Sequence, residues 1–110
     1  MIQKKTVPSL ERIRELLVPF FSRSASKKAV VFGSYARGEA DEYSDLDLII
    51  VAETETPFLE RFRDYTGIYE IWPKGLDMLI YTPDELERMQ DEENPFVTHA
   101  LGEGIVIYEE

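Results

Sequence analysis

The feature of this sequence that most constrains its fold is a pair of short apolar segments that enclose a motif of small and acidic residues. The motif runs from Gly33-Ser34, through ten intervening residues, to Asp45-Leu46-Asp47. The apolar segments, residues 29–32 and 46–51, have the length and the β-branched content of strands. Because side chains alternate along a strand, we expect the two aspartates on the same face of the second one.

Two carboxylates on one face of a strand are unusual, because Asp is a poor strand former and like charges repel. A divalent cation removes both objections, and Mg²⁺ typically binds one or two carboxylates together with substrate phosphates. Gly33-Ser34 complements such a site, since glycine lets a backbone approach a phosphate and N–H groups with a serine hydroxyl can hold its oxygens. The alternatives are a solvated pair of acids at a strand entrance and an ordinary tight turn.

The segment GSYARGEADEYSDLDLIIV resembles the signature of the polymerase-β-like nucleotidyltransferase superfamily, which combines Gly-Ser with Asp-x-Asp at this spacing. The small size of the chain resembles that of the minimal nucleotidyltransferase branch, which includes MntA-like antitoxins. A later apolar segment, residues 76–81, carries Asp77 where the family has its third carboxylate. The similarity covers roughly residues 27–110.

The resemblance implies that Asp45, Asp47 and Asp77 are the catalytic carboxylates and the ligands of two Mg²⁺ ions. Asp77 would serve the ion on the acceptor side and could also accept the proton of the attacking hydroxyl. The alternative for Asp77 is an acid at the start of a strand with no catalytic role.

The resemblance also implies a nucleoside triphosphate, expected to be ATP, with its phosphates over Gly33 and Ser34. Arg37 either screens phosphate charge or sits in a surface ion pair. Ser44 is a further candidate for nucleotide binding, although it is better placed to cap the turn before Asp45.

The charge of the chain is unevenly distributed. The net charge is −10; residues 1–30 hold seven Lys and Arg against two acids, whereas residues 83–110 hold nine acids and one Arg. This balance argues against direct binding to a nucleic-acid backbone, which requires clustered basic residues. It suits a basic protein partner, although solubility alone would explain it equally well.

By resemblance, minimal nucleotidyltransferases of this size are often encoded with a HEPN ribonuclease toxin and act as antitoxins by adding AMP to a tyrosine of that toxin. Two alternatives stay open. The domain could neutralise its partner by binding alone, without catalysis. It could also modify a small molecule of the aminoglycoside type, working as a homodimer.

Composition sets further bounds. A chain of 110 residues is expected to form one domain, residues 1–110. The absence of cysteine excludes disulfides and thiolate metal sites. No apolar run approaches the roughly 20 residues that a membrane span requires, so we expect no membrane association and a cytoplasmic location. The motifs GxxxxGK[ST], GxGxxG and HExxH are absent from the sequence.

Local patterns predict an α/β fold, a nucleotidyltransferase fold in which helices pack against a small mixed sheet. The predicted strands are 27–32, 45–51, 76–81 and 105–108, the second antiparallel to the first because the connection is short. Helices are predicted to open at Pro8-Ser9, Ser34, Thr56-Pro57, Thr82-Pro83 and Asn94-Pro95, with Pro19 interrupting the first. The buried face of the third is predicted to carry Phe58, Leu59, Phe62 and Tyr65. Tyr69 and Trp72 are also predicted to be mostly core, and His99 is interpreted as a structural or surface residue.

Overall fold

The computed structural model describes residues 7–72 and 74–110. The strands are β1 (Ser26–Phe32), β2 (Leu46–Ala52), β3 (Leu76–Tyr81) and β4 (Ile105–Glu109). The helices are α1 (Leu10–Ser22), α2 (Ser34–Arg37), a 3₁₀ helix (Phe58–Tyr65), α3 (Ile68–Ile71), α4 (Pro83–Asp91) and α5 (Pro95–Glu103). Pro73, which the sequence places in the turn before β3, lies outside the described residues. No described helix combines the length and apolar character needed to span a bilayer.

The four strands form one mixed sheet in the order β3-β2-β1-β4. Strand β1 pairs antiparallel with β2, as predicted, and also antiparallel with β4. Strand β2 pairs in parallel with β3. The predicted α/β class and the small mixed sheet are therefore confirmed.

Both faces of the sheet are covered, which explains why the central strands are almost continuously apolar. One face packs against α1 and α3, and the other packs against α4 and α5. The first core includes Ile13, Leu17, Phe21, Val31, Leu48, Ile50, Ile68 and Trp72. The second includes Val30, Ile49, Tyr81 and Ala100, with Leu86 and Met89 packed against it.

Helix α1 begins at the predicted place but is not interrupted by Pro19. Its buried stripe of Ile13, Leu17 and Phe21 is fully excluded from solvent, and the helix continues through Pro19 to Ser22. A proline removes a hydrogen bond from the helix that contains it. Here that loss falls in the last turn, where burial of Phe21 in the core holds the helix together.

The segment after Thr56 differs most from its prediction. It forms a 3₁₀ helix without a side-chain cap, and Phe58, Leu59 and Phe62 are exposed, so the predicted buried face is wrong except for Tyr65. In a 3₁₀ helix, side chains three apart eclipse one another. The buried residues of this helix are Tyr65 and, unexpectedly, Arg61, which is 6% exposed.

Arg61 is buried because its guanidinium has partners on β3, on α4 and in the loop before the 3₁₀ helix. It donates to the Ile80 carbonyl at 3.0 Å, to the Thr56 carbonyl at 2.8 Å and to both oxygens of Glu85. A buried charge is tolerated when it is paired and hydrogen-bonded in this way. Of the remaining aromatic predictions, Trp72 is buried as expected and Tyr69 is exposed.

The capping predictions for α4 and α5 are confirmed. Thr82 and Glu85 form a reciprocal capping box at the start of α4. Asn94 accepts a hydrogen bond from the Val97 N–H at the start of α5. These caps fix the entry of two helices that cover the same face of the sheet as the predicted carboxylates.

Candidate active site

The parallel pairing of β2 and β3 brings two of the predicted carboxylates together. Asp47 and Asp77 are direct partners in the register of the two strands. Their neighbours along each strand pack into the core beneath α1 and α3. Because side chains alternate along a strand, Asp47 and Asp77 lie on the other face, which α4 and α5 cover. The third predicted carboxylate, Asp45, is exposed and directly precedes β2.

The carboxyl group of Asp47 is held in an unfavourable environment for a negative charge. Burial raises its pKa from the usual 3.8 to about 6, and the charge and hydrogen bond of Asp77 and the charge of Asp45 act in the same direction. Arg37 opposes this shift but does not cancel it. Neighbouring carboxylates that cannot all ionise comfortably are typical of functional sites.

Gly33 is in close contact with Asp47. It leaves β1 with φ = 74°, a left-handed conformation that favours glycine. A Cβ atom at this position would lie 2.2 Å from Oδ2 of Asp47. The Gly-Ser turn and the carboxylate are therefore packed against each other, and only glycine fits at the first position of the turn.

Gly75 makes the corresponding contact with Asp45. A Cβ atom on Gly75 would lie 1.7 Å from Oδ1 of Asp45. The carbonyl of Gly75 also accepts a hydrogen bond from the Leu46 N–H at 2.9 Å and one from the Trp72 indole at 3.2 Å. The turn before β3 thus sets the position of the carboxylate before β2.

The carboxylate of Glu103, at the end of α5, binds the Gly-Ser turn and α2. It accepts a hydrogen bond from the Gly33 N–H at 2.6 Å and from Arg37 Nη1 at 3.0 Å. His99 Nε2 lies 2.9 Å from its other oxygen. Arg37 also pairs with Glu39 at 3.0 Å, so the guanidinium is held in ion pairs at the rim of the site.

Ser34 and Ser44 have different surroundings. Ser44 lies in the turn before Asp45, where its hydroxyl accepts from the Asp41 N–H at 2.8 Å and donates to the Asp41 carboxylate at 3.2 Å. This arrangement agrees with its interpretation as a turn cap. The Ser34 hydroxyl makes no hydrogen bond with any residue in 7–72 or 74–110. The roles of these serines and of Gly33 and Arg37 toward a nucleotide stay predictions.

The carboxylates are suited to a hard cation by their donor chemistry. Asp45, Asp47 and Asp77 offer only oxygen ligands, and a cation would relieve the repulsion that raises the Asp47 pKa. Among the described residues, no three acidic or histidine side chains converge as a preformed metal site. Assignment of the three aspartates as Mg²⁺ ligands therefore stays a prediction.

Two residues at the site were not identified from the sequence. Gly75 was interpreted only as part of a turn, and Glu103 received no role. Both act through contacts across the fold: Glu103 is separated from Gly33 by 70 residues. A pattern within one segment carries no information about such a contact.

Comparison with known proteins agrees with this architecture. Residues 10–105 match the family described as "Nucleotidyltransferase domain". The chain is 30% identical over 73 residues to "Putative protein adenylyltransferase MJ0435" of Methanocaldococcus jannaschii, covering 66% of this chain and 78% of that protein.

Two solved structures share the fold. One is described as "Structure of putative minimal nucleotidyltransferase"; its TM-score is 0.63 at 26% identity, covering 92% of this chain and 98% of that one. The other is a crystal structure of a toxin–antitoxin with AMP-PNP, with a TM-score of 0.65 at 12% identity, covering 88% of this chain and 73% of that one. From the family match over nearly its whole length, and from the motif residues that the fold brings together, this chain belongs to the nucleotidyltransferase domain family.

Proposed function

We propose that this protein is a Mg²⁺-dependent protein adenylyltransferase that moves AMP from ATP onto a tyrosine hydroxyl of a HEPN-type toxin and so acts as its antitoxin. The observation that carries the proposal is the pairing of Asp47 with Asp77 across two parallel strands, directly beside the Gly33 turn. The relative named as a protein adenylyltransferase supports a protein acceptor. The toxin–antitoxin structure with AMP-PNP has the same fold, which makes a toxin partner a specific hypothesis.

In this proposal the triphosphate lies over the Gly33-Ser34 turn. The Ser34 hydroxyl donates a hydrogen bond to a phosphate oxygen, and Arg37 neutralises part of the phosphate charge. Holding the triphosphate in one orientation keeps the α-phosphorus in line with the acceptor oxygen, and positioning of this kind accounts for much of the catalysis of phosphoryl transfer. No covalent intermediate with the protein is needed.

Asp45, Asp47 and Asp77 would hold Mg²⁺, which, when bound, neutralises negative charge on the phosphates and lowers the pKa of a bound hydroxyl. The acceptor oxygen forms a bond to the α-phosphorus while the bond between that phosphorus and the bridging oxygen to the β-phosphorus breaks. The products are an AMP ester of the acceptor and pyrophosphate. Asp77, which is exposed whereas its strand neighbour Asp47 is half-buried, is placed to take up the proton of the attacking hydroxyl.

The partner is proposed to be a basic protein, since this chain carries a net charge of −10. ATP as the donor also suits a cytoplasmic enzyme. Neither feature identifies the acceptor by itself, so the experiment must supply candidate partners directly. The protein encoded beside this chain in its genome, or one that co-purifies with it, is the first candidate.

The test is intact-mass spectrometry of that partner after incubation with this protein, Mg²⁺ and each nucleoside triphosphate in turn. We expect a mass increase of one or more AMP units with ATP, located on tyrosine by fragmentation. The Asp45→Asn, Asp47→Asn double variant should give no increase. A matched control is Asp84→Asn, Asp91→Asn, which removes the same charge from two exposed positions of α4 and should leave the transfer intact.

Other outcomes would reject the proposal in distinct ways. If the partner is inhibited equally by the Asp45, Asp47 double variant and gains no mass, the protein is an antitoxin that acts by binding alone. If the partner gains no mass but an aminoglycoside does, the acceptor is a small molecule.

A further inference from the structure

The Gly-Ser turn is held from a distant part of the chain. Of the hydrogen bonds described around it, the shortest joins the Gly33 N–H to Oε2 of Glu103 at 2.6 Å. A bond from a backbone amide to an ionised carboxylate is stronger than one between neutral groups. The same carboxylate accepts two contacts from Arg37 Nη1, at 3.0 and 3.3 Å.

Glu103 is itself held firmly in place. Its side chain is only 13% exposed. The next residue, Gly104, packs so closely on β1 that a Cβ atom would lie 2.6 Å from Cγ1 of Val30 and 2.8 Å from the Ala100 carbonyl. The end of α5 is therefore tightly packed on β1, and from this position the Glu103 carboxylate faces the turn.

We propose that Glu103 is a positioning residue for the nucleotide: its carboxylate fixes the Gly33-Ser34 turn and aims the Arg37 guanidinium toward the triphosphate. This inference rests on the proposed function. Glu103 does not touch the reacting atoms. It acts through Gly33, whose backbone packs against the carboxylate of Asp47, and through Arg37, to which it adds a second ion pair besides the one with Glu39.

The physical reason is preorganisation. Without Glu103, the Gly33 N–H loses its acceptor and Arg37 keeps only the exposed pair with Glu39, where both side chains can move in solvent. ATP would then have to order the turn as it binds, which lowers affinity. Removing a residue that orients the ligands of a metal typically costs about 10-fold to 100-fold in metal affinity or activity, and we expect an effect of the same order for a residue that orients a phosphate-binding turn.

The test compares Glu103→Ala, Glu103→Gln and the control Glu109→Ala by calorimetric titration with AMP-PNP and Mg²⁺, without any partner protein. Glu109 is also a carboxylate in an ion pair, with Lys28 at 3.6 Å, but it lies on β4 and makes no described contact with the turn. We expect Glu103→Ala to weaken binding about tenfold. Glu103→Gln keeps a carbonyl oxygen for the Gly33 N–H and should recover most of that loss, and Glu109→Ala should bind as the wild type does.

A second readout is the amide resonance of Gly33 in a ¹⁵N-correlated NMR spectrum. A short bond to a carboxylate shifts an amide proton downfield, so this resonance should move upfield in Glu103→Ala, partly in Glu103→Gln, and not in Glu109→Ala. The rest of each spectrum reports whether the variant is folded. Because both measurements are made on folded protein, a residue that only stabilises the fold would leave the affinity for AMP-PNP unchanged.

The proposal is wrong if folded Glu103→Ala binds AMP-PNP with wild-type affinity. It is also wrong if that variant binds more tightly, because the carboxylate would then compete with phosphate for the turn. If the wild-type protein binds no nucleotide at all, the proposed function fails first, and this result is distinct from a defect confined to the Glu103 variants.

Discussion

Asp47 and Asp77 are direct neighbours on parallel strands, and the interaction between their carboxyl groups contributes to an Asp47 pKa of about 6. Because β2 and β3 run in parallel with these residues in register, the two side chains lie side by side on one face of the sheet. Strand pairing is therefore enough to bring the carboxylates together. When no cation is bound, this repulsion lowers the free energy of unfolding. The pH dependence of unfolding measures the size and the sign of that effect.

The first prediction concerns Asp47→Asn. The pKa of Asp47 is raised in the folded state, from 3.8 to about 6. Its charged form therefore destabilises the fold above pH 6, and this penalty is relieved as the pH falls through 6 toward 3.8. With EDTA present, we expect Asp47→Asn to raise the midpoint of thermal unfolding at about pH 7.5, and the gain to shrink by about pH 4.

Asp91→Asn is the control for that measurement, since Asp91 is exposed at the end of α4. Its midpoint of thermal unfolding should not show a comparable rise at neutral pH that shrinks as the pH falls. A destabilised Asp47→Asn at neutral pH would contradict the electrostatic description of the site.

The second prediction compares Gly33→Ala with Gly38→Ala. Both glycines have φ = 74°, but Gly33 has ψ = −152°, in a region essentially restricted to glycine, whereas Gly38 has ψ = 22°, in the left-handed helical region that other residues adopt at a smaller cost. Only at position 33 would the new methyl group collide with Asp47, whereas nothing lies within 4 Å at position 38. We expect Gly33→Ala to lower kcat/KM for AMP transfer about 100-fold, because small displacements of catalytic groups have effects of that size.

Gly38→Ala should lose stability but much less activity per folded molecule. Steady-state kinetics and thermal unfolding on both variants separate the two effects. Equal losses of activity per folded molecule would contradict a specific effect of the position 33 methyl group on Asp47.

A third prediction tests the contact between Gly75 and Asp45. In Gly75→Ala the methyl group would occupy the position of the Asp45 carboxylate, which must then move. We expect at least about a tenfold loss of AMP transfer, with the secondary structure unchanged by circular dichroism. Gly102→Ala is matched to it, because nothing lies within 4 Å of that position; a similar loss there would refute the explanation.

The fourth prediction concerns the buried ion pair of Arg61 and Glu85. Hydrogen bonding to Arg61 lowers the pKa of Glu85 to about 2 from its usual 4.5, so its contribution to stability is present above pH 4.5 and is lost as the pH falls toward 2. Glu85→Ala also leaves the buried guanidinium without its carboxylate. We expect the free energy of unfolding to fall by about 2–3 kcal/mol at neutral pH, because the Glu85 side chain is 36% exposed and solvent screens part of the interaction.

Glu15→Ala is the comparison for chemical denaturation, since Glu15 pairs with Arg12 on the exposed side of α1. It should cost at most about 0.5 kcal/mol. The gap between the two variants should close as the pH approaches 2. A gap that persists in acid would show that Glu85 stabilises the fold mainly through packing or helix capping.

Local sequence patterns predicted most of the helices and strands and the residues of the Gly-Ser and Asp-x-Asp motif. Strands with β-branched runs, the capping box at Thr82 and the Asn94 cap were predicted from a few adjacent residues, because their stabilising contacts are themselves local. The neighbouring position of Asp77 was also predicted, although this rested on the resemblance to a family. The sequence pattern alone predicted the antiparallel arrangement of β1 and β2 but not the pairing of β4 with β1.

The failures share a different cause. Phe58 and Phe62 were placed in the core because apolar residues at helical spacing usually face inward. The segment forms a 3₁₀ helix instead, and the charged residue Arg61 faces inward. Its carboxylate partner, Glu85, lies 24 residues away in the sequence. Polar burial of this kind depends on a partner that no local pattern identifies, and the contact of Glu103 with Gly33 was missed for the same reason.

The 70-residue separation between Gly33 and Glu103 also has a consequence for the order of folding. Strands β1 and β2 are close in the sequence and can pair early, but Glu103, the acceptor for the Gly33 amide, lies at the end of α5 and reaches the turn only when α5 has packed against β1. A partly folded chain could therefore contain both strands of the motif and still present a disordered turn. The nucleotide binding proposed for this turn would then be acquired late, after α5 has packed against β1.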